Sequence, residues 1–234
     1  QACTPLIAGI FSIVWLRKHY TGLFKLPPMD EIINSYKEGW SIFVSSLAVN
    51  LYTATNVVVL GMLTNNVIVG YYSAADKLIT CVRRGIYAVS DAIYPFISKM
   101  MKDDISKGLQ FIKKQIFLYL VVGLIGCTSL FFFSDTIVKL LFGADYELTV
   151  DVLRILSFVP LAVAISTVFG EETMLPLNMN GAYSRTLVLA AFFSLLSIFP
   201  LCYMWGAEGV AMTMLLTEFL IMIVMGGLLW KRLL

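Results

Sequence analysis

Charged and polar side chains that could bind a ligand are concentrated in one segment, 73–100, where they interrupt an otherwise apolar stretch. Projected on an α-helix at about 100° per residue, they fall within an arc of roughly 100°. This polar stripe consists of Asp76, Thr80, Arg83, Arg84, Tyr87, Asp91 and Tyr94. Because a guanidinium group is always charged and binds phosphate or carboxylate oxygens through paired hydrogen bonds, we interpret the stripe as a surface that contacts an anionic ligand.

Two other interpretations of the polar stripe remain open. In the first, Arg83 and Arg84 pair with Asp76 and Asp91 in a buried structural network, because a buried charge needs a partner. In the second, the helix lies at the membrane interface and never crosses it. The first is compatible with ligand contact, since a paired arginine keeps further N–H donors.

Polar residues also recur in the apolar block before the stripe. Ser46, Asn50 and Thr53 share one helix face, whereas Tyr52 and Asn56 lie elsewhere. Small polar side chains of this kind either hydrogen-bond neighbouring membrane helices or line a cavity. On the second interpretation, Asn50 is a candidate ligand-binding residue.

Three further carboxylates stand apart from the stripe. Glu218 lies in the middle of the last apolar block, where an ionisable residue is costly and faces a partner or a cavity. We interpret it either as a buried hydrogen-bonded group or as a site for a coupling proton or cation. Glu171 and Glu172 end an apolar block and precede Pro176, a pattern that we interpret as a hydrated helix end.

Catalytic chemistry is not indicated. The one histidine, His19, lies among basic residues, and the four cysteines form neither a CxxC pair nor a metal-ligand spacing. The sequence contains no GxxxxGK[ST] loop to hold the phosphates of ATP. We therefore predict no catalytic residue, no metal, no cofactor and no enzymatic activity.

The elements that position these residues are predicted to be membrane helices. Hydrophobic residues make up 59% of the 234-residue chain and charged residues 14%, against roughly 25% charged in a soluble domain. A membrane span needs about 20 predominantly apolar residues, and most of the apolar blocks reach that length. The blocks are residues 1–16, 39–62, 68–98, 115–134, 150–170, 186–204 and 208–230. The small net charge of +2 gives no reason to expect a nucleic-acid partner.

The predicted fold is an all-α integral membrane protein, a polytopic bundle of six full transmembrane helices and one truncated helix. We expect residues 1–16 to be the end of a truncated transmembrane helix, because the block is short and the chain does not begin with Met. Residues 17–38, with a proline pair, are expected to be a cytoplasmic linker, and residues 39–234 a six-helix bundle. Segments 30–40 and 100–114 are interpreted as solvated loops or short amphipathic surface helices.

Basic residues alternate between the connections. Twelve of them lie in 17–38, 99–114, 171–185 and the C-terminal tail, whereas 63–67, 135–149 and 205–207 contain only Lys139, with Arg154 just inside the next block. Cytoplasmic loops carry the excess of lysine and arginine. The sequence therefore predicts that the first set of connections and the C-terminus are cytoplasmic.

An ordered series of motifs resembles the oligosaccharide flippases of bacterial O-antigen and capsule export, a family related to the multidrug and toxic compound extrusion (MATE) antiporters. The motifs are LYTATNVVVLG at 51–61, VGYYSAADK at 69–77, FGEETMLPL at 169–177, WGAEGVA at 205–211 and TE at 217–218. The second motif is the most specific, and the resemblance covers nearly the whole chain from about residue 40.

The resemblance implies about twelve to fourteen helices in two bundles around a central cavity, with alternating access. It also implies an undecaprenyl-pyrophosphate-linked oligosaccharide as cargo, membrane lipids as surroundings, and a location in the bacterial cytoplasmic (inner) membrane. This chain would supply the C-terminal bundle, and the N-terminal bundle of the same transporter would be its partner. We expect a flippase for O-antigen or capsular polysaccharide assembly. The alternatives are a cation-coupled multidrug or metabolite exporter and a membrane enzyme of the polysaccharide-polymerase type.

Overall fold

The computed structural model of the chain describes residues 28–143 and 145–233, together with positions 9, 11, 12 and 15. The predicted truncated helix 1–16 is described only at those four positions, where the backbone is helical. His19 and the first part of the predicted linker lie outside the described residues. The division of the chain into a linker and a bundle stays a prediction.

Helix α1, Met29–Leu63, begins directly after the proline pair. The carbonyl of Pro28 accepts hydrogen bonds from the backbone N–H groups of Glu31 at 3.0 Å and Ile32 at 3.3 Å. Proline suits a helix start because the N–H that it lacks would have no partner there. The segment 30–40 is therefore helical and not a loop, since the prolines mark where a helix begins.

The chain divides into two units, residues 1–37 and 38–234, and all packing described from here on lies within the second. Beyond α1, its elements are α2 (Asn66–Asp103), α3 (Ile105–Phe142), α4 (Glu147–Leu156), α5 (Val159–Phe169), a π-helix (Gly170–Met174) and α6 (Asn180–Leu233). The described residues contain no strand. The predicted all-α fold is confirmed.

Side-chain caps join the first helices through very short connections. Asn65 caps α2 by accepting hydrogen bonds from two backbone N–H groups, each at 3.0 Å. Asp104 caps α3 and accepts from the N–H groups of Ser106 at 2.9 Å and Lys107 at 3.3 Å. The backbone N–H of Lys107 is the main cause that holds the pKa of Asp104 below its usual range. The predicted connection 100–114 is thus helical on both sides of one capping residue, and not a loop.

Helix α6 consists of two arms that reverse direction at Gly206. This residue has φ 56° and ψ −125°, a conformation that glycine reaches without strain. A Cβ added to Gly209 would overlap the carbonyl of Leu201, although residues at this spacing in a straight helix lie about 12 Å apart. The predicted boundary between the last two spans is therefore confirmed as a tight helical hairpin.

Four helical stretches among the described residues are long and apolar enough to cross a membrane: Ile42–Leu63, Ile105–Phe142, Glu147–Met174 and Asn180–Trp230. The last has 51 residues and, at about 77 Å of helix, is long enough for two crossings of a hydrocarbon layer of roughly 30 Å. Helix α2 is not among the four because its charged residues are spread along its length. The chain is an all-α, multi-pass membrane bundle.

Helix α5 lies at the centre of the bundle and α3 at its edge. Every residue of α5 from Val159 to Val168 is buried. In contrast, α3 exposes large apolar side chains such as Phe117, Ile125 and Phe132, which suits a helix whose outer surface contacts lipid. The central α5 leads directly into the π-helix, and so it positions the residues described below.

We predict that Gly209→Ala destabilises the helical hairpin, whereas Gly227→Ala, in the same arm, does not. A methyl group at position 209 would meet backbone atoms, while position 227 has nothing within 4 Å. Overpacking of this kind costs about 1–3 kcal/mol, and each kcal/mol lowers the melting temperature of a domain this size by roughly 2–4 °C. Thermal unfolding of the two detergent-purified variants checks the prediction. Equal melting temperatures would show that the reversal at Gly206 is not tight.

Candidate functional site

A cavity of about 690 Å³ lies between the helices of the second unit. Its walls are formed by α1, α2, the end of α5 with the π-helix, and both arms of α6. Ligand cavities in proteins commonly measure about 300–1,000 Å³. The volume of this cavity lies within that range, and polar side chains contribute to its lining.

One carboxylate joins three helices at the wall of this cavity. Oε1 of Glu218, on α6, accepts a hydrogen bond from the hydroxyl of Tyr52, on α1, at 3.0 Å. The same oxygen accepts from Nη2 of Arg83, on α2, at 3.4 Å. Glu218 is 3% exposed and Arg83 9%, so the two charges neutralise each other where little water reaches them.

The guanidinium group of Arg83 is held loosely. Its 3.4 Å contact with Glu218 is longer than the roughly 2.7–2.9 Å of a charge-assisted hydrogen bond. Its Nε atom is buried and has no hydrogen-bond partner. Arg83 also lines the cavity, where Tyr87 is a further neighbour of its guanidinium group.

The cavity brings together five of the seven residues of the polar stripe with Asn50 and Glu218. The stripe residues that line it are Asp76, Thr80, Arg83, Arg84 and Tyr87, whereas Tyr94 does not. Asp91 does not line it either, because it is exposed and lies outside the lining. The roles assigned to these residues in binding and ion coupling stay predictions.

The predicted network of Arg83 and Arg84 with Asp76 and Asp91 is wrong in its partners. Among the described residues, Arg83 pairs with Glu218, and no ion pair joins either arginine to the two aspartates. Glu218 is 135 positions away from Arg83. Helix periodicity compares residues of one helix only, and so it could not identify a partner on α6.

The charge of the cavity is mixed. Arg83 and Arg84 share it with Asp76, Glu171 and Glu218. Because Arg83 and Glu218 neutralise each other, the remaining charged groups are the guanidinium of Arg84 and the carboxylates of Asp76 and Glu171. The polar stripe alone did not indicate this balance, because Glu171 and Glu218 come from other elements; contact of the stripe with an anionic ligand stays a prediction.

Two consecutive glutamates of the π-helix have different surroundings. Glu171 lines the cavity, while Glu172 is fully buried against other helices. The turn is wider than in an α-helix: the N–H of Leu175 bonds to the carbonyl of Gly170, five residues back, at 3.1 Å. Such turns occur frequently at functional sites. The interpretation as a hydrated helix end is therefore wrong for Glu172.

Helix α1 lines the cavity with more than one face. Tyr52 and Asn56, which periodicity placed away from Asn50 and Thr53, line it as well. The side-chain amide of Asn50 donates to the carbonyl of Ser46 at 2.9 Å, which fixes its orientation. Two features of the sequence could have identified the missed cavity residues. Tyr52 is a tyrosine inside an apolar block, and Glu171 directly follows such a block.

The fold and the cavity together define the class. Ionisable groups inside a membrane bundle mark the route of a substrate or an ion, and membrane transporters place such groups near the middle of discontinuous helices. The chain is a polytopic membrane protein whose helices enclose a polar cavity lined by ionisable side chains.

Residues 1–101 match the family model for polysaccharide biosynthesis proteins. The chain is 30% identical to a Shigella dysenteriae protein named "Putative O-antigen transporter" over 219 residues, which are 94% of the chain and 54% of the relative. An Escherichia coli K12 protein of the same name is 30% identical over 222 residues, 94% of the chain and 53% of the relative. The "Probable low-salt glycan biosynthesis flippase Agl15" of Haloferax volcanii is 21% identical over 208 residues, 88% of the chain and 44% of the relative.

The chain spans about half the length of the curated relatives that it matches. The matches confirm the resemblance to O-antigen oligosaccharide flippases that the sequence motifs indicated. No solved structure matches the chain.

We predict that Arg83→Ala destabilises the protein more than Arg84→Ala. Truncation of Arg83 leaves Glu218 as an unpaired buried charge, and the loss of one partner of such a pair costs about 3–5 kcal/mol. Arg84 is exposed and serves as the matched control, one residue away. Thermal unfolding of both purified variants tests the difference. Equal stability would mean that the pair with Glu218 contributes nothing to the fold.

Proposed function

We propose that this chain belongs to a flippase that moves lipid-linked oligosaccharides across the cytoplasmic membrane for O-antigen or capsular polysaccharide assembly. The observation that carries the proposal is the loosely held guanidinium of Arg83 in a polar cavity within the membrane bundle. The names of the relatives support the same function. The relatives are about twice as long as the chain, and a second helix bundle would face this cavity and complete the site.

In the proposed mechanism, Arg83 exchanges its ion pair with Glu218 for one with the pyrophosphate of the cargo. The pyrophosphate of the cargo takes the unused donors of Arg83 and draws its guanidinium group away from Glu218. A carboxylate that is 3% exposed and has lost its counterion is costly to keep charged. Glu218 then binds a proton or a cation, and it releases this ion when Arg83 returns. This exchange is the role in ion coupling that we assign to Glu218.

The remaining cavity residues are proposed to bind the rest of the cargo. Arg84 has no ion pair among the described residues and would contact a second phosphate or an acidic sugar. Asn50, Asp76 and Tyr87 offer hydrogen bonds to sugar hydroxyl groups. Asp91 lies outside the cavity, and we assign it a contact with cargo that extends beyond the cavity edge.

One observation favours a second candidate, a cation-coupled exporter of drugs or metabolites. The cavity holds three carboxylates and two guanidinium groups, which would suit a cationic substrate as well as a coupling ion. The two candidates differ in the sign of the cargo. Replacement of the arginines should abolish flipping of an anionic lipid, whereas an exporter of cations should tolerate their loss better than the loss of Asp76 and Glu171.

We also propose that the protein lies in the bacterial inner membrane with its C-terminus in the cytoplasm. The support is the concentration of basic residues in alternate connections. Lys107, at the α2–α3 connection, lies on the proposed cytoplasmic side, and its side chain is exposed.

We predict that Arg84→Ala leaves the abundance of the protein normal and reduces surface polysaccharide to below roughly a tenth, since a hydrogen bond to a charged group contributes about 1.5–3 kcal/mol. Arg84→Lys should have an intermediate effect, because lysine lacks the planar fork. The variants would replace the chromosomal copy in the native host. Immunoblots of membranes and polysaccharide gels give the two measurements. Normal polysaccharide in an Arg83→Lys, Arg84→Ala double variant of normal abundance would refute the contact of these arginines with cargo.

We predict that Glu218→Gln impairs transport while the protein still accumulates. Glutamine keeps the shape of the side chain and can still accept a hydrogen bond from Tyr52, but it cannot take up and release a proton. Polysaccharide output at normal membrane abundance is the readout. Wild-type output in this variant would show that ion coupling does not use Glu218.

We predict that a cysteine at position 107 reacts with a membrane-impermeant maleimide only after the cells are broken. A cysteine at position 145, in the connection after α3, should react in intact cells, because that connection is predicted to lie on the opposite side. Labelling of position 107 in intact cells would reverse the proposed orientation.

A further inference from the structure

An apolar groove of about 330 Å³ lies between α2, α3 and α5, and it shares no lining residue with the cavity of the proposed function. Ten of its twelve lining residues have no polar side-chain atom, the exceptions being Tyr119 and Cys127. Val89 of α2 and Val122 of α3 line it and are 48% and 58% exposed. The groove therefore opens toward the outer surface of the bundle, where α3 exposes its large apolar side chains.

Two glycines leave space in this apolar groove. A glycine in a helix interior costs about 1 kcal/mol relative to alanine, and in membrane bundles it commonly lets two helices approach closely. Gly123 has this role, because an added Cβ would overlap the side chain of Leu161 on α5. Gly85 and Gly126 do not, since a Cβ at either position would have nothing within 4 Å. Both line the groove, so their missing side chains leave room that no other part of the described chain fills.

The apolar groove lies at mid-length of two long helices. Helices α2 and α3 have 38 residues each, and their lining residues fall within 82–89 and 119–130. A hydrocarbon layer of roughly 30 Å that is centred on these helices has its midplane at the groove. The head group of an ordinary phospholipid would then lie about 15 Å away. Only the end of its acyl chain would reach the groove.

A polar anchor lies beside the apolar groove at the same depth. Arg84 lines the cavity, and Gly85, the next residue of α2, lines the groove. On a helical projection at about 100° per residue, Cys81 and Ala88 lie between these two positions, one turn to either side. Both are small residues, and both are exposed. A molecule bound to the guanidinium group of Arg84 can therefore extend across the surface of α2 into the groove without meeting a bulky side chain.

We propose that the apolar groove holds the polyprenyl chain of the lipid-linked cargo while Arg84 contacts a phosphate of the same molecule. The inference rests on the proposed flippase function, which supplies the cargo. A lipid whose phosphate is bound by Arg84 has its chain at the depth of the groove, whereas a phospholipid keeps its phosphate at the membrane surface. The methyl branch of each isoprene unit also needs more width than a straight acyl chain, and Gly85 and Gly126 provide that width.

Fit decides binding in this groove, because the lipid around the bundle is as apolar as the groove itself. The test therefore maps contacts directly, on the purified protein in phosphatidylcholine nanodiscs. The probe is a polyprenyl phosphate with a photoreactive diazirine on its chain. We expect its adducts, located by mass spectrometry, to concentrate at 82–89 and 119–130. A phosphatidylcholine with a diazirine in its acyl chain should instead label the outer face of α3, at residues such as Phe117 and Phe132. Excess undecaprenyl phosphate should displace the polyprenyl probe, whereas excess phosphatidylglycerol should not.

Gly85→Leu and Gly126→Leu fill the apolar groove without a clash, since nothing lies within 4 Å of either added Cβ. Each should reduce labelling of the groove by the polyprenyl probe roughly tenfold, the change that corresponds to about 1.4 kcal/mol of lost packing. Gly70→Leu is the matched control. Gly70 is also an exposed glycine of α2 with nothing within 4 Å, but it lies outside the groove, and its variant should be labelled like the wild type.

Three outcomes would overturn the inference. The first is a set of polyprenyl adducts distributed like those of the phosphatidylcholine probe. The second is labelling of the Gly85→Leu and Gly126→Leu proteins as strong as that of Gly70→Leu. The third is equal displacement by phosphatidylglycerol, which would assign the groove to membrane lipids in general. If the leucine variants do not accumulate, the adduct map and the competition on the wild type still decide. These assays measure no transport, so their failure is distinguishable from failure of the flippase proposal, which normal polysaccharide in the arginine variants would show.

Discussion

A charge inside an apolar bundle must find its counterion within the protein, and the Arg83–Glu218 pair meets that constraint here. The residues come from α2 and α6, and Tyr52 adds α1 through the same carboxylate oxygen. Three helices are thereby fixed around one point. The cavity borders this point, since Tyr52, Arg83 and Glu218 all line it. The structural role and the proposed binding role of Arg83 are thus two properties of one contact.

The sequence revealed the residues of the site better than it revealed their partners. Helical periodicity placed Asp76, Arg83, Arg84 and Tyr87 on one face, and all four line the cavity, because neighbours on one helix face are fixed by the 3.6-residue repeat. Hydropathy likewise predicted an all-α membrane bundle. The pairing with Glu218 depends on how α2 packs against α6, and no local pattern specifies that packing.

Irregular backbone accounts for the other differences between prediction and structure. Glu171 and Glu172 have different surroundings, as consecutive residues of any helix do, and the π-helix adds a residue to one turn, which an α-helical projection does not anticipate. Segment 30–40, interpreted from the sequence as a solvated loop or a short surface helix, belongs to the long helix α1, because proline interrupts a helix interior but suits its first turn. The reversal at Gly206 was easier to locate, since a glycine between two long apolar blocks is a familiar sign of a break.

The hairpin of α6 also constrains how the chain is made. Its two arms are joined at a single non-helical residue, and Gly209 lies against the backbone of Leu201. The first arm cannot span the bilayer while the second remains in water, because the connection is too short to separate the two arms. The arms must leave the translocation channel as a pair, already packed against each other. Glu218 lies on the second arm, so its buried ion pair with Arg83 forms only when both arms have taken their place in the bundle.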